Sequence, residues 1–343
     1  MATPKFAHSI MKIVYYLTYG FWYLFSLLPL RVLYVLSDGF YLLVCHVVRY
    51  RHGVIWRNLS QSFPDKSAKE LRRIEKEFYH WFCDYVVETI KLMTMSADQL
   101  KRRMTFSGTE LVDGYTAQGR SCAVYLGHYG NWEWITSLPY WVSGNAQCMQ
   151  IYHPLENKNF DDLFRQVREK NGSLCVPMAE TLRRVVTYQQ LKKPIIMGYI
   201  SDQVPFWNNI HHWQNFLNHD TPVLTGSEKI IKATNQVAFY GDVKRLKRGH
   251  YHCTLCLLTD DPKQVPDYGL TDMYFERLQQ TICRQPELYL WSHNRWKRTH
   301  EEFNLRFNPA TGRVDLRDIE TIKQERQAAP PTPTDGATNH GIR

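Results

Sequence analysis

Apolar and polar positions divide the chain into three stretches. The first is almost continuously apolar: Ile13 to Leu30 carries no charge, and Val32 to Val48 follows, broken by Asp38-Gly39 and containing His46. A helix of about 18 residues rises ~27 Å, just short of a ~30 Å hydrocarbon core. Lys12 and Arg31 flank the first run, which is long for a cleaved signal and has no small-x-small site after it. The run predicts one spanning or deeply embedded helix over 13–30; the alternative is an apolar hairpin packed on the domain. Arg31, Arg49, Arg51 and Arg57 predict a main domain on the cytoplasmic side by the positive-inside rule.

The second stretch opens with Ser67-Ala-Lys-Glu70, a capping box, and a long helix with Leu71, Ile74, Phe78, Phe82, Tyr85 and Ile90 at helical spacing. A short basic helix follows from Ser96. Beyond it, strand-like runs at 104–106, 122–126, 147–152, 194–200, 236–243 and 251–258 alternate with amphipathic segments near 109–117, 132–142, 158–170, 179–191, 225–234 and 271–284. This alternation predicts an α/β domain around one central sheet. The third stretch, with Ala328-Ala-Pro-Pro-Thr-Pro-Thr, has no apolar period and predicts a disordered tail. The organisation expected is an anchor and apolar hairpin over 1–50, one domain over 51–318, and a mostly disordered tail over 319–343.

Composition adds a bias. Lys plus Arg is 42 against 33 Asp plus Glu, a formal net charge of +9, and 14% of residues are aromatic. A basic chain rich in Trp and Tyr suits a membrane surface or an acidic partner. Nucleic acid is disfavoured because no groove-reading or stacking motif is present. The eight cysteines are scattered through apolar runs, as free thiols of a reducing compartment are. Cys253 and Cys256 form the one CxxC; they lie in a strand-like run, where residues three apart face opposite ways, and no second pair exists.

The sharpest chemical signal is Val124-Tyr-Leu-Gly-His128-Tyr-Gly-Asn-Trp-Glu133. A strand ends, a histidine follows, and a glycine-containing turn leads into a helix; in open α/β sheets ligands bind beyond such carboxyl ends. His128 and Glu133 would point about 140° apart on a continuous helix, so they meet only if Gly130 turns the chain. Asn131 is placed to cap the helix that follows. Glu133 could then hold one imidazole nitrogen and leave the other free to take a proton; the bland alternative is a polar turn residue and a carboxylate complementing a helix dipole.

The H-x4-E of His128 and Glu133 resembles the motif of the glycerolipid acyltransferase superfamily. Further segments resemble the bacterial late lipid A acyltransferases: Arg57-Asn58-Leu59 with Phe63-Pro64; Val86-Val87-Glu88-Thr89-Ile90-Lys91; His153-Pro154 through Asn157 and Asp161 to Val167-Arg168 and Gly172; Tyr199-Ile200-Ser201-Asp202-Gln203; and Leu290-Trp291-Ser-His293-Asn294-Arg295-Trp296-Lys297. The resemblance spans roughly residues 13 to 307. It implies a central mixed sheet flanked by helices with an N-terminal membrane helix, an inner-membrane protein facing the cytoplasm, and transfer of an acyl chain from acyl carrier protein to a hydroxyl of a lipid A precursor. His128 would be the general base and Glu133 its orienting partner. Asn131, Arg168, Asp202, Gln203, Arg295 and Lys297 would be substrate-binding. Another glycolipid, phospholipid or amino-acid lipid is the alternative acceptor, and a non-catalytic binding protein for anionic lipid or nucleic acid the alternative class.

The chemistry expected is direct. A thioester is already activated, so no metal or redox cofactor is required, and no G-x-S-x-G announces a covalent intermediate. Backbone N–H groups near Asn131 are candidates to meet the oxyanion. The chain has Glu133 where the phospholipid-making branch commonly has Asp, and it has no E-G-T motif, which argues against glycerophosphate acceptors. Lys101-Arg-Arg103 and Lys244-Arg-Leu-Lys-Arg248 are ordinary solvated faces or contacts for an acidic carrier protein or anionic lipid heads.

Overall fold

The protein is described by a computed structural model over residues 4–328. Two apolar helices open the chain, α1 (Pro4–Leu27) and α2 (Leu30–Leu42), the latter continued by a π-helical turn at Leu43–Val47. Helices α3 (His52–Ser62), α4 (Ala68–Lys91) and α5 (Ala97–Arg103) follow. The sheet domain then runs β1 (Met104–Ser107), α6 (Thr109–Ala117), β2 (Cys122–Leu126), β3 (Gln147–Tyr152), α7 (Lys158–Glu169), β4 (Leu174–Pro177), α8 (Thr181–Gln190) and β5 (Ile195–Ile200). A small hairpin of β6 (Trp213–Phe216) and β7 (His219–Pro222) precedes α9 (Gly226–Thr234), β8 (Val237–Lys247), β9 (His250–Thr259) and α10 (Gly269–Arg284). Helix α11 (His300–Arg306), the short strands β10 (Phe307–Asn308) and β11 (Arg313–Val314), and α12 (Ile319–Ala328) close the described chain.

The central sheet has seven strands in the order β1-β9-β8-β2-β5-β3-β4. All neighbours are parallel except β8 and β9, which form an antiparallel hairpin, so the sheet is mixed as expected. β2 is buried along its whole length, which is why its sequence is a continuous apolar run rather than an alternation. The carboxyl ends of β2, β5, β3 and β8 share one edge. On one face of the sheet Tyr125 stacks on Tyr274 of α10, with ring centroids 4.7 Å apart.

Helix α4 begins at the expected capping box: the Glu70 amide donates to the Ser67 hydroxyl at 3.3 Å, and the Ser67 amide donates to the Glu70 carboxylate at 2.9 Å. Leu71, Ile74 and Phe78 of its apolar stripe are buried and Phe82, Tyr85 and Ile90 half-buried, while Tyr79, Cys83 and Asp84 on a second face are buried as well, because α1 and α2 pack along the helix. This alters the reading of the N-terminus. The apolar run over 13–30 is not one helix: α1 ends at Leu27 and the chain breaks at Pro29. Among the described residues, the segment long and apolar enough to cross a membrane is Leu30–Val47, and it is mostly exposed. Lys91 fastens the break by donating to the carbonyls of Ser26 at 2.7 Å and Leu28 at 3.1 Å, groups a helix end leaves unpaired.

Two further differences concern boundaries. The segment after His128 forms a 3-10 helix, Trp134–Tyr140, rather than an α-helix over 132–142, since Pro139 cannot continue an α-helical ladder. Within the stretch expected as tail, Ile319–Ala328 is helical and Ile322 is buried; residues 329–343 lie outside the described residues.

Candidate active site

β2 and β5 pair in parallel with Leu126 opposite Ile200. His128 and Asp202 each stand two residues beyond that last pair, so the register alone sets them side by side. The His128 Nδ1 lies 2.7 Å from Asp202 Oδ1, and the His128 amide donates to the other carboxylate oxygen at 3.2 Å. Asp202 is buried. Burial pushes its pKa up, but the charge and hydrogen bonds of His128 outweigh this and hold it below the ordinary carboxylate value. An ionised Asp202 accepts from a proton-bearing Nδ1, so the ring's lone pair is on His128 Nε2. That atom lies 3.3 Å from the Gln203 side-chain amide, and the ring meets Trp132 edge-on at 5.2 Å.

The loop after His128 is shaped by Gly130, whose φ of 61° is open to glycine and costly for other residues. A Cβ there would also meet Val243 at 2.9 Å. The Gly130 amide donates to Leu288 O and the Leu290 amide to His128 O, so the chain near 289 braces the histidine from behind.

Glu133 does not reach His128, contrary to the sequence expectation. Its carboxylate takes both nitrogens of an Arg168 fork, Nε at 2.8 Å and Nη2 at 2.6 Å. The 3-10 turn aims Glu133 toward the last turn of α7, and a planar guanidinium satisfies both oxygens at once. Burial disfavours the Arg168 charge, but Glu133 more than compensates and raises its pKa.

These residues line a cavity of about 720 Å³. His128, Glu133, Arg168 and Gln203 contribute polar groups, whereas Val124, Leu126, Cys148, Ile196, Gly198 and Leu255 form an apolar wall. The wall follows from strand alternation: the register puts Val124 beside Gly198 and Cys148 beside Ile196, all on one face of the sheet. A mainly apolar cavity with a few convergent polar groups suits a ligand with a long apolar part.

The family model for bacterial lipid A biosynthesis acyltransferases matches residues 2–298. The chain belongs to that family. It is an acyltransferase, and membership implies a lipid A precursor as substrate. No curated protein matched in the comparison made with this chain.

The remaining expected site residues of the acyltransferase divide sharply. Asn131 does cap the turn, its side-chain oxygen accepting the Trp134 amide at 3.0 Å, but it is buried and faces inward. Its Nδ2 donates at 2.7 Å to Glu88, which also accepts from Tyr34 at 2.8 Å and Tyr251 at 3.1 Å. Arg295 is only 1% exposed and does not line the cavity; one nitrogen donates to Pro222 O at 2.8 Å, and the guanidinium lies 5.9 Å over Phe275. Lys297 is exposed and lies off the cavity lining. Neither lines the cavity, because 291–297 folds back on α3: Asn58 donates to Trp291 O and His293 O, both at 2.9 Å, and Arg57 donates to Asn294 at 2.8 Å. Arg295 nevertheless lies close enough behind the site for its charge to favour the ionised Asp202.

The residue pairing that sequence reasoning missed is His128 with Asp202. Its signal was present, since each lies just beyond a strand, but only the parallel neighbourhood of β2 and β5 brings them together. Glu88 was likewise legible as part of a segment, not as a joint between α2 and the loop after His128. Asp38, His80 and Asp84 also converge, but Arg248 already bridges both carboxylates, so we read the cluster as an ion-paired joint.

Proposed function

We propose that the protein transfers a fatty acyl chain from acyl carrier protein thioester to a hydroxyl of a lipid A precursor, with His128 as general base. The observation that carries this reading is the short contact between His128 Nδ1 and a buried, ionised Asp202, with Nε2 turned to the cavity. Nε2 takes the acceptor hydroxyl proton as the oxygen attacks the thioester carbon. The tetrahedral intermediate collapses with loss of the carrier thiolate, which is protonated as the imidazolium gives the proton back. A positioned base contributes about 10²–10⁴ in rate.

The apolar wall takes the acyl chain. Gln203 orients the acceptor beside His128, and the Glu133–Arg168 pair fixes α7 against the catalytic loop while offering charge to a polar head group. The amides of Gly130 and Trp134 already have acceptors, so the oxyanion role falls to amides of 131–133. The chemistry requires no metal or redox cofactor. The site faces the cytoplasm, where the carrier thioester is made, with α1 and α2 at the inner membrane.

The test is acyl transfer in detergent from acyl carrier protein thioesters to a tetra-acylated lipid A precursor. Wild type transfers, and His128→Ala loses about 10²-fold or more in kcat. Transfer by wild type to a different lipid alone would replace the acceptor, and equal rates for wild type and His128→Ala would end the mechanism.

A further inference from the structure

Helices α1 and α2 turn apolar stripes outward. Leu17, Phe21 and Leu24 on α1 are each more than 60% exposed, and Val35, Leu36 and Phe40 continue the apolar face on α2. These are helical spacings of the kind that face a core, yet here they face outward.

A cluster of cations stands beside this face. Tyr240 of β8 is level with Tyr125 of β2. Lys247 is therefore seven positions beyond that level and His128 three, so the hairpin projects past the catalytic edge by roughly 13 Å. Its tip is held to α2. Arg248 donates to Asp38 at 2.6 Å, its guanidinium lies 4.5 Å over the Tyr34 ring, and Arg103 donates to Gly249 O at 3.0 Å. Around this joint Arg102, Lys244 and Lys247 are exposed, and none has an ion pair among the described residues. Leu246, between the two lysines, is 65% exposed.

Unpaired cations around an exposed leucine, next to two apolar helix faces, match the layering of a bilayer surface: anionic head groups outside, hydrocarbon beneath. An acidic carrier domain would answer the cations but leave Leu246 and the helical stripes in water. We propose that the β8–β9 tip and the end of α5 form a binding site for anionic phospholipid head groups, docking the domain on the membrane alongside α1 and α2.

The experiment needs no acyl transfer, so it stands apart from the proposed reaction. Full-length protein is diluted from detergent onto vesicles of phosphatidylcholine, with or without phosphatidylglycerol, and separated by flotation. The comparison is wild type against a variant with Arg102→Gln, Lys244→Gln and Lys247→Gln, matched for melting temperature in detergent. Each cation at an anionic surface is worth about fivefold in partitioning, so the triple variant should lose on the order of 100-fold of the phosphatidylglycerol-dependent increment. Its binding to phosphatidylcholine alone should be unchanged, and salt should remove the wild-type increment. Wild type indifferent to phosphatidylglycerol, or equal loss on both vesicle types, would overturn the proposal. So would a variant that floats like wild type but has lost direct binding to acyl carrier protein, which would assign the patch to a protein.

Discussion

At the scale of single residues, the site depends on what each charged group has next to it. His128 is held by Asp202, and Glu133 is held by Arg168. The two-pronged Arg168 contact fixes the Glu133 carboxylate against α7, where it makes no hydrogen bond to the imidazole. Gly198 shows the same dependence in the apolar half of the site. A Cβ there would sit 3.6 Å from Met149 O and 3.8 Å from Leu126, ordinary contacts, so Gly198→Ala fits without strain. Larger side chains at 198 reach into the cavity that Gly198 lines. Gly198→Val should therefore shift preference toward shorter acyl chains, by about tenfold in kcat/KM for loss of two or so methylene contacts. Competition between carrier thioesters of different length reads this directly, and an unchanged length preference would place the acyl chain elsewhere.

At the scale of elements, α4 joins the apolar helices to the loop that follows His128. Lys91 closes the end of α1, and Glu88 links Tyr34 of α2 to Asn131. Three neutral donors surround the Glu88 carboxylate and none brings a positive charge, so burial dominates and pushes its pKa up to about 7. A carboxyl whose folded pKa lies above its unfolded value favours folding when protonated. That contribution is complete below about 4.5 and is lost as pH rises through about 7. The stability of wild type relative to Glu88→Gln should therefore fall between pH 5 and 8, by an amount on the order of 3 kcal/mol or less. Denaturant unfolding in detergent at several pH values measures it; a pH-independent difference would mean that Glu88 keeps one charge state throughout.

At the scale of the whole molecule, periodicity sufficed for elements that bury a continuous face. β2, buried along its whole length, coincides with its apolar run, and α4 starts at its capping box. Short elements were less legible. β4 is a four-residue strand at the sheet edge, and β6 and β7 are four-residue strands of mixed polar and apolar residues, so none has a run long enough to show a period. The partners of Glu133, Arg295 and Asn131 were not legible for another reason. Each is set by contacts 35 or more positions away in sequence, and motif spacing says nothing about which strand neighbours which. Sheet order sets two of the listed polar residues side by side, and here it places Asp202 against His128.

The most direct test is therefore the comparison of kcat for Asp202→Asn, Glu133→Gln and His128→Ala in the same acyl-transfer assay, on variants with matched melting temperatures. Asn at 202 keeps the shape but cannot stabilise an imidazolium, so Asp202→Asn should fall by about 10²–10⁴, close to His128→Ala. Glu133→Gln should lose less in kcat, because it frees Arg168 without disturbing the imidazole. Wild-type kcat in Asp202→Asn, with the full loss transferred to Glu133→Gln, would contradict the account.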